Sequence, residues 1–331
     1  MQELPHRPIN VWLITDGRPG HESQLIGLSE RLQANAAVSI KWIDVTSTAT
    51  SWRTKVLKSG LDSQPDIVIS AGHRTHKLLR IITKQYQAFS VVLMKPSLPK
   101  SFFDAIICPR HDGLSDHPRV LSTLGAINKI TPPPENQQRS IHLMLIGGPS
   151  KHFDWDEPSL IEQIKQICQA DTSKHWLLSD SRRTPETFMS AMAMLSTREL
   201  VNLKIITQDS PETAPVEQLL VQSMETWVSP DSVSMVYESL TAESPTILFE
   251  LSPSKPKQLS RVCQGIQHLV DITYVSTYQQ WSRGHTPLPP LQALWEAERA
   301  AVWLLDRFHK QHKIKSASTR LNTHTSRQNL R

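Results

Sequence analysis

The chain has 331 residues, 38% of them hydrophobic and 20% charged, a composition that suits a globular protein large enough for two cores. No run of 18 apolar residues occurs and MQELPHRPIN lacks the apolar core of a secretory leader, so neither a membrane span nor export is expected, and the cytosol is the expected compartment. The formal charge of +5 does not point to nucleic acid: seven of the 36 basic residues follow Asp306 in a segment without acids, leaving 29 basic against 31 acidic residues in the body.

In chain order, β-rich runs are expected at INVWLIT (9–15), VSIKWIDV (38–45), DIVISAG (66–72), FSVVLMK (89–95), DAIICP (104–109) and RVLSTLG (119–125). Between them ESQLIGLSERLQ (22–33) and THKLLRIITKQ (75–85) carry apolar residues at helical spacing. INKITPPPENQQRS then interrupts with three consecutive prolines, as a linker would. The alternation restarts with IHLMLIGG, the helix EPSLIEQIKQICQ, HWLLSD, the helix PETFMSAMAML, LKIITQD, the helix PVEQLLVQSM, ETWVSP, the helix SVSMVYESLTA and PTILFEL. A terminal helix, LQALWEAERAAVWLLDRF, is expected to pack back onto the body.

This pattern predicts an α/β protein of two doubly wound, Rossmann-like domains facing a cleft. The expected boundaries are 1–127 for the first domain, 128–140 for the linker, 141–308 for the second domain and 309–331 for a disordered basic tail that could touch an anionic membrane surface. Cys108, Cys168 and Cys263 are too scattered for a disulfide frame or a zinc site and read as buried thiols in a reducing compartment.

Ligands of such sheets bind beyond the carboxyl ends of the strands, and five polar loops fall there: DGRPGHESQ (16–24), AGHRT (71–75), GGPSKHF (147–153), SDSRRTP (179–185) and SPDSVSMVYES (229–239). In the second half, Gly147 and Gly148 permit close backbone approach, and Ser150 and Lys151 are expected at a helix entrance, where N–H groups and the helix dipole favour an anion. Ser181, Arg182, Arg183 and Thr184 add hydroxyl and guanidinium groups suited to phosphate. Against this, one arginine could be an ordinary surface residue, and Ser181 or Thr184 could cap the helix that begins at Pro185. Neither GxGxxG nor GxxxxGK[ST] is present. Asp231, Ser232 and Ser234 open a helix in which Glu238, four residues after Ser234, shares its face.

That last segment is similar to the nucleotide-sugar-binding segment of glycosyltransferases with the two-domain, GT-B type of fold. The resemblance implies that Ser232 and Ser234 meet the phosphates and that Glu238 binds the ribose, with Asp231 among the nucleotide-sugar-binding residues; the alternative for Glu238 is a solvated helix carboxylate. TDGRPGHESQ, AGHRT, GGPSKHF, SRRTP and DSVSMVYES, in that order, also resemble a narrower family, the mitochondrial fission proteins of the elongated-mitochondria type, some of which carry a nucleoside-diphosphate-sugar epimerase label. The chain departs from it at Ser23, where the family tends to have Asn, and at Glu243-Ser244-Pro245, where the family has glycine before the proline. The missing Rossmann fingerprint and Tyr-xxx-Lys pair weigh against the epimerase label.

In a GT-B arrangement the first domain holds the acceptor. Asp16, His21 and His73 are then candidate bases, with Gly17, Arg18, Gly20, Ser23, Gln24, Arg74 and Thr75 around the acceptor, Gly17 and Gly20 giving backbone freedom and Pro19 rigidity. His21 could instead only orient the loop. Asp154-Trp155-Asp156 reads as a helix-entrance cluster, so no metal or other cofactor is expected. Three functions stay open: a glycosyltransferase acting from a nucleotide-diphosphate sugar on a cell-envelope lipid or polysaccharide, a non-catalytic adaptor at the inner face of a membrane, and a nucleotide-sugar epimerase.

Overall fold

The computed structural model describes residues 7–46, 64–207, 214–290 and 293–311. The packing of the described residues gives two compact units: those within 1–109, 114–129 and 296–311 form one, and 110–113 with those within 130–295 form the other.

The first unit holds a six-stranded, fully parallel sheet ordered β2-β1-β3-β4-β5-β6. Its strands are β1 (Ile9–Thr15), β2 (Val38–Asp44), β3 (Ile67–Ala71), β4 (Phe89–Leu93), β5 (Ala105–Pro109) and β6 (Val120–Thr123). β3, β4 and β5 are buried at every residue, which is why they read as continuous apolar runs, whereas edge strand β2 exposes Ser39, Trp42 and Asp44. Helix α1 (Pro19–Asn35) packs on β1, β2 and β3, and α2 (His76–Tyr86) on β3 and β4. A core of Trp12, Ile14, Val68, Leu79, Val92, Phe103 and Ile106 lies on one side of the sheet.

The second unit repeats the plan with the order β12-β11-β10-β7-β8-β9, again all parallel. Its strands are β7 (Ile141–Leu145), β8 (Trp176–Ser179), β9 (Leu203–Ile206), β10 (Ser223–Val228), β11 (Thr246–Leu248) and β12 (Ser276–Thr277). Its helices are α3 (Glu157–Ala170), α4 (Glu186–Arg198), α5 (Val216–Val221), α6 (Val233–Thr241), α7 (Arg261–Asp271) and α8 (Tyr278–Ser282). Asp156 caps α3 by accepting from the Ser159 amide, and Ser260 caps α7 by accepting from Cys263. Trp176, Phe188, Trp227 and Phe249 anchor the core. All three cysteines are buried and free, and burial pushes the Cys168 thiol up to about 12.

The expected elements recur, with differences in which unit each segment joins. The terminal helix, α9 (296–311), belongs with the first unit: it buries Ala297, Ala300, Ala301, Leu304 and Phe308, and Glu296 accepts from the Leu124 amide at 2.6 Å. Residues 110–113 instead belong with the second unit, where Arg261 donates to the Asp112 carbonyl at 2.8 Å and the His111 ring stacks on Tyr237. Most of the proline-rich stretch is also part of the second unit, and Arg139 within it donates to the carbonyls of Ser223 and Ala242. α7, β12 and α8 had no counterpart among the expected elements. The basic tail beyond Gln311 lies outside the described residues.

Candidate functional sites at the two switch points

In each sheet the strand order reverses once, and the loops leaving the two strands at that reversal border a crevice. In the first unit the reversal falls between β1 and β3, followed by DGRPGHESQ and AGHRT. In the second it falls between β7 and β10, followed by GGPSKHF and SPDSVSMVYES.

At the first switch point Asp16 and His21 form a pair, with His21 Nδ1 2.7 Å from Asp16 Oδ1. The loop turns at Gly17, which has φ of +72° and donates its amide to the Thr15 hydroxyl. Pro19 opens α1 at its first position, where a missing N–H costs nothing, so His21 stands in the first helical turn. The Asp16 side chain is 1% exposed and that of His21 18%. Burial drives the Asp16 carboxyl upward, but the His21 hydrogen bond and charge, with the Arg18 amide and guanidinium, outweigh it and hold its pKa below the ordinary value. Asp16 therefore engages Nδ1, so Nε2 is the ring nitrogen outside the pair, an arrangement in which a buried carboxylate orients an imidazole.

The expected neighbours separate into two groups. Arg18, His73 and Arg74 are exposed on the loops that follow β1 and β3, Arg18 with its Nε 3.8 Å from Asp16 Oδ2. Thr75 is fully buried and donates to the Gly72 carbonyl at 2.7 Å, and Gln24, also buried, donates to the Gly20 carbonyl, so both stabilise local backbone. Ser23 Oγ is buried without a hydrogen bond among the described residues. Gly20 is an ordinary helical residue with open space where a Cβ would stand, so the backbone freedom expected of it is not used.

Gly72 escaped notice as a site residue. Its φ is +91°, and a Cβ there would stand 2.6 Å from His21 Nδ1 and 2.7 Å from Asp16 Oδ2. The pair exists because position 72 has no side chain. A glycine directly after a buried strand was the available signal.

The second switch point is knitted more tightly than expected. Gly147 donates its amide to Ser229 Oγ at 2.7 Å, and Gly148 donates to Asp231 Oδ2 at 2.9 Å. Both glycine N–H groups are thus occupied by the protein, and a Cβ at either position would collide, with Asp231 Oδ2 at 2.2 Å or the Arg183 carbonyl at 2.1 Å. Arg183 donates to Asp231 Oδ2 at 2.8 Å and to the Gly148 carbonyl at 2.9 Å. Ser181 and Thr184 donate to the Gly147 carbonyl. Neither hydroxyl caps α4, whose N-cap is Pro185. Ser150 and Lys151 are not at a helix entrance, because α3 starts only at Glu157; the Ser150 hydroxyl accepts from the amides of His152 and Phe153.

What this loop network leaves open is the start of α6. Ser232 occupies the N-cap but its hydroxyl makes no capping bond, and the Val236 amide donates to the Ser232 carbonyl at 3.2 Å. Ser234 is exposed in the first turn, and Glu238 is half-buried one turn later. Lys151 and Arg182 are exposed on the neighbouring loops. Asp231, 1% exposed, keeps Oδ1 buried without a hydrogen bond among the described residues, so it serves the loop network and not the surface. Among the described residues no cluster of His, Cys, Asp and Glu could hold a metal, and no helix is long and apolar enough to cross a membrane.

Comparison with known proteins fits this plan. The UDP-GlcNAc 2-epimerase of Methanocaldococcus jannaschii superposes with a TM-score of 0.53 at 13% identity, covering 89% of this chain and 99% of that one. The UDP-GlcNAc 2-epimerase of Neisseria meningitidis gives 0.52 at 13% identity, covering 91% and 100%. The glycotransferase of kitacinnamycin gives 0.52 at 11% identity, covering 92% and 100%. These likenesses establish a fold of the GT-B type. An uncharacterized protein of Rickettsia prowazekii (strain Madrid E) is 24% identical over 295 residues, 73% of this chain and 83% of that protein. The family described as Mitochondrial fission ELM1 matches residues 19–308, and the chain belongs to that family.

Proposed function

We propose that the protein is a metal-independent glycosyltransferase that uses a nucleotide-diphosphate sugar. The observation that carries the reading is the Asp16–His21 pair at the first switch point, an imidazole oriented by a buried carboxylate. In the proposed reaction His21 Nε2 takes the proton of an acceptor hydroxyl. The acceptor oxygen then bonds to the anomeric carbon, and the bond from that carbon to the diphosphate breaks, its electron pair leaving with the diphosphate. The α6 N-terminus, with Ser232 and Ser234, offers amides and hydroxyls to the diphosphate, and exposed Lys151 and Arg182 offer charge. Glu238, one turn along α6, accepts from the ribose. Arg18, His73 and Arg74 face the acceptor. The proposed acceptor is a cell-envelope lipid or polysaccharide, reached from the cytoplasmic side with the basic tail on an anionic membrane.

The test is incubation of the full chain with UDP-, GDP- and dTDP-sugars, with and without a lipid or glycan acceptor, followed by mass spectrometry and NMR. Acceptor-dependent release of nucleoside diphosphate that falls in His21→Gln supports transfer. The likeness to two 2-epimerases favours one second reading, conversion of the nucleotide sugar itself, which would proceed without acceptor. Absence of any binding or turnover would leave the adaptor role.

A further inference from the structure

The second unit has another concavity, at the opposite ends of its strands. A cavity of about 410 Å³ is lined by His142, Lys174, Glu225, Trp281, His285 and Thr286. His142 precedes Gly147 by five residues along β7, roughly 16 Å at 3.3 Å per residue, so this cavity is separate from the loops around α6. Its volume lies within the range of small-ligand pockets.

The polar groups in it are arranged as a donor and an acceptor held side by side. Lys174 Nζ lies 2.6 Å from Glu225 Oε1, and His142 Nδ1 lies 3.0 Å from the same oxygen. Both bonds fall on Oε1, so Oε2 is without a hydrogen bond among the described residues. Burial pushes the Glu225 carboxyl up, but His142 and Lys174 outweigh it and hold its pKa below the ordinary value, which favours the carboxylate form. An added anion would meet a lysine already paired, and an added cation a carboxylate already shared by two partners. A neutral ligand that both donates and accepts loses nothing to either charge. Beside this pair Trp281 is held by edge contact with Trp227 at 5.3 Å and by Tyr278 at 5.7 Å, so its indole is a pre-positioned apolar surface. Thr286 and exposed His285 add further hydrogen-bonding groups at the rim.

We infer that this cavity is a second, non-catalytic site for a neutral saccharide, whose C–H face lies on Trp281 while neighbouring hydroxyls donate to Glu225 Oε2 and accept from Lys174. The inference does not depend on the glycosyltransferase reading. The saccharide could belong to a free glycan or to a glycolipid headgroup.

The experiment is calorimetric titration of the full chain with maltotriose, cellotriose, chitotriose and mannotriose, beside flotation with phosphatidylcholine vesicles carrying diglucosyl diacylglycerol. Benzoate and inorganic phosphate serve as anion controls. Binding of at least one free trisaccharide identifies a glycan site; binding to the glycolipid vesicles alone identifies a headgroup site. In either case Glu225→Gln should weaken association at least about tenfold, the loss of a bond to a charged acceptor, while UDP affinity stays as in the wild type. His285→Ala, at an exposed position, provides a second variant should Glu225→Gln fail to fold, with an expected loss of several-fold. No response to any saccharide, binding of benzoate or phosphate instead, or saccharide binding untouched by these substitutions overturns the inference. Because UDP binding is measured on the same samples, loss of the nucleotide reading and loss of this one are distinguishable.

Discussion

Gly72→Ala tests whether the Asp16–His21 pair is built into the first unit. Position 72 has φ of +91° and ψ of 144°, a region open almost only to glycine, and holding alanine there costs about 1–3 kcal/mol. The new methyl would also stand 2.6 Å from His21 Nδ1 and 2.7 Å from both His21 Cε1 and Asp16 Oδ2, so something must move. His21, partly exposed, can swing away, whereas Asp16 at 1% exposure cannot. Separation leaves a buried carboxylate without its hydrogen-bond partner, worth about 1.5–3 kcal/mol for a charged group. The two effects overlap, and the expected loss is roughly 2–5 kcal/mol, read as a lowered urea midpoint and melting temperature. Gly20→Ala is the matched control: it is helical with nothing within 4 Å of its Cβ position, and should gain about 0.4–1 kcal/mol. Under the proposed function Gly72→Ala should also lose turnover even where it remains folded. If Gly72→Ala unfolds within about 0.5 kcal/mol of the wild type, the pair is not sterically dependent on position 72 and the argument from its geometry fails.

His21→Gln should lower turnover by about 10²–10⁴-fold with nucleotide-diphosphate affinity unchanged, while His73→Gln, at an exposed position, should stay near wild type; the reverse ranking would move the base to His73. Because the folded pKa of Asp16 is depressed, its contribution to stability is complete above about pH 4, the unfolded value, and is lost as pH falls through the folded value. Asp16→Asn should therefore flatten the acid limb of the stability profile below about pH 4, measured by denaturation at stepped pH. Glu238→Ala should cost roughly 1.5–3 kcal/mol of nucleotide affinity by calorimetry with little change in melting temperature, and unchanged affinity would return Glu238 to the solvated helix face. Arg183→Ala should destabilise by about 1–3 kcal/mol, because buried Asp231 loses the guanidinium 2.8 Å away, and a neutral result in urea melts would make that pair ornamental.

The sequence alone determined most of the elements and their order, α7, β12 and α8 being the exceptions. Short continuous apolar runs such as IVISA and AIICP fit strands buried on both faces, and the amphipathic stretches between them fit helices covering such a sheet, so a parallel α/β plan followed from the alternation. The switch-point loops were legible for the same reason, since polar residues directly after buried strands fall at the carboxyl ends of the sheet. α7 was missed although RVCQGIQHLVD has helical spacing behind a Ser260 cap, because a turn-rich stretch masks its start. Which residues in those loops face outward was not legible. Hydroxyl, guanidinium and amide groups can bind a phosphate or one another with equal chemistry, and only three-dimensional neighbours decide. The fold spent Gly147, Gly148, Ser181, Arg183 and Thr184 on its own loop network, left the start of α6 uncapped, and paired Asp16 with His21 against a glycine 51 residues further along. It also placed α9 on the first sheet and residues 110–113 with the second, because burial of an apolar face is satisfied by whichever surface the chain can reach, and nothing local in the sequence specifies which one.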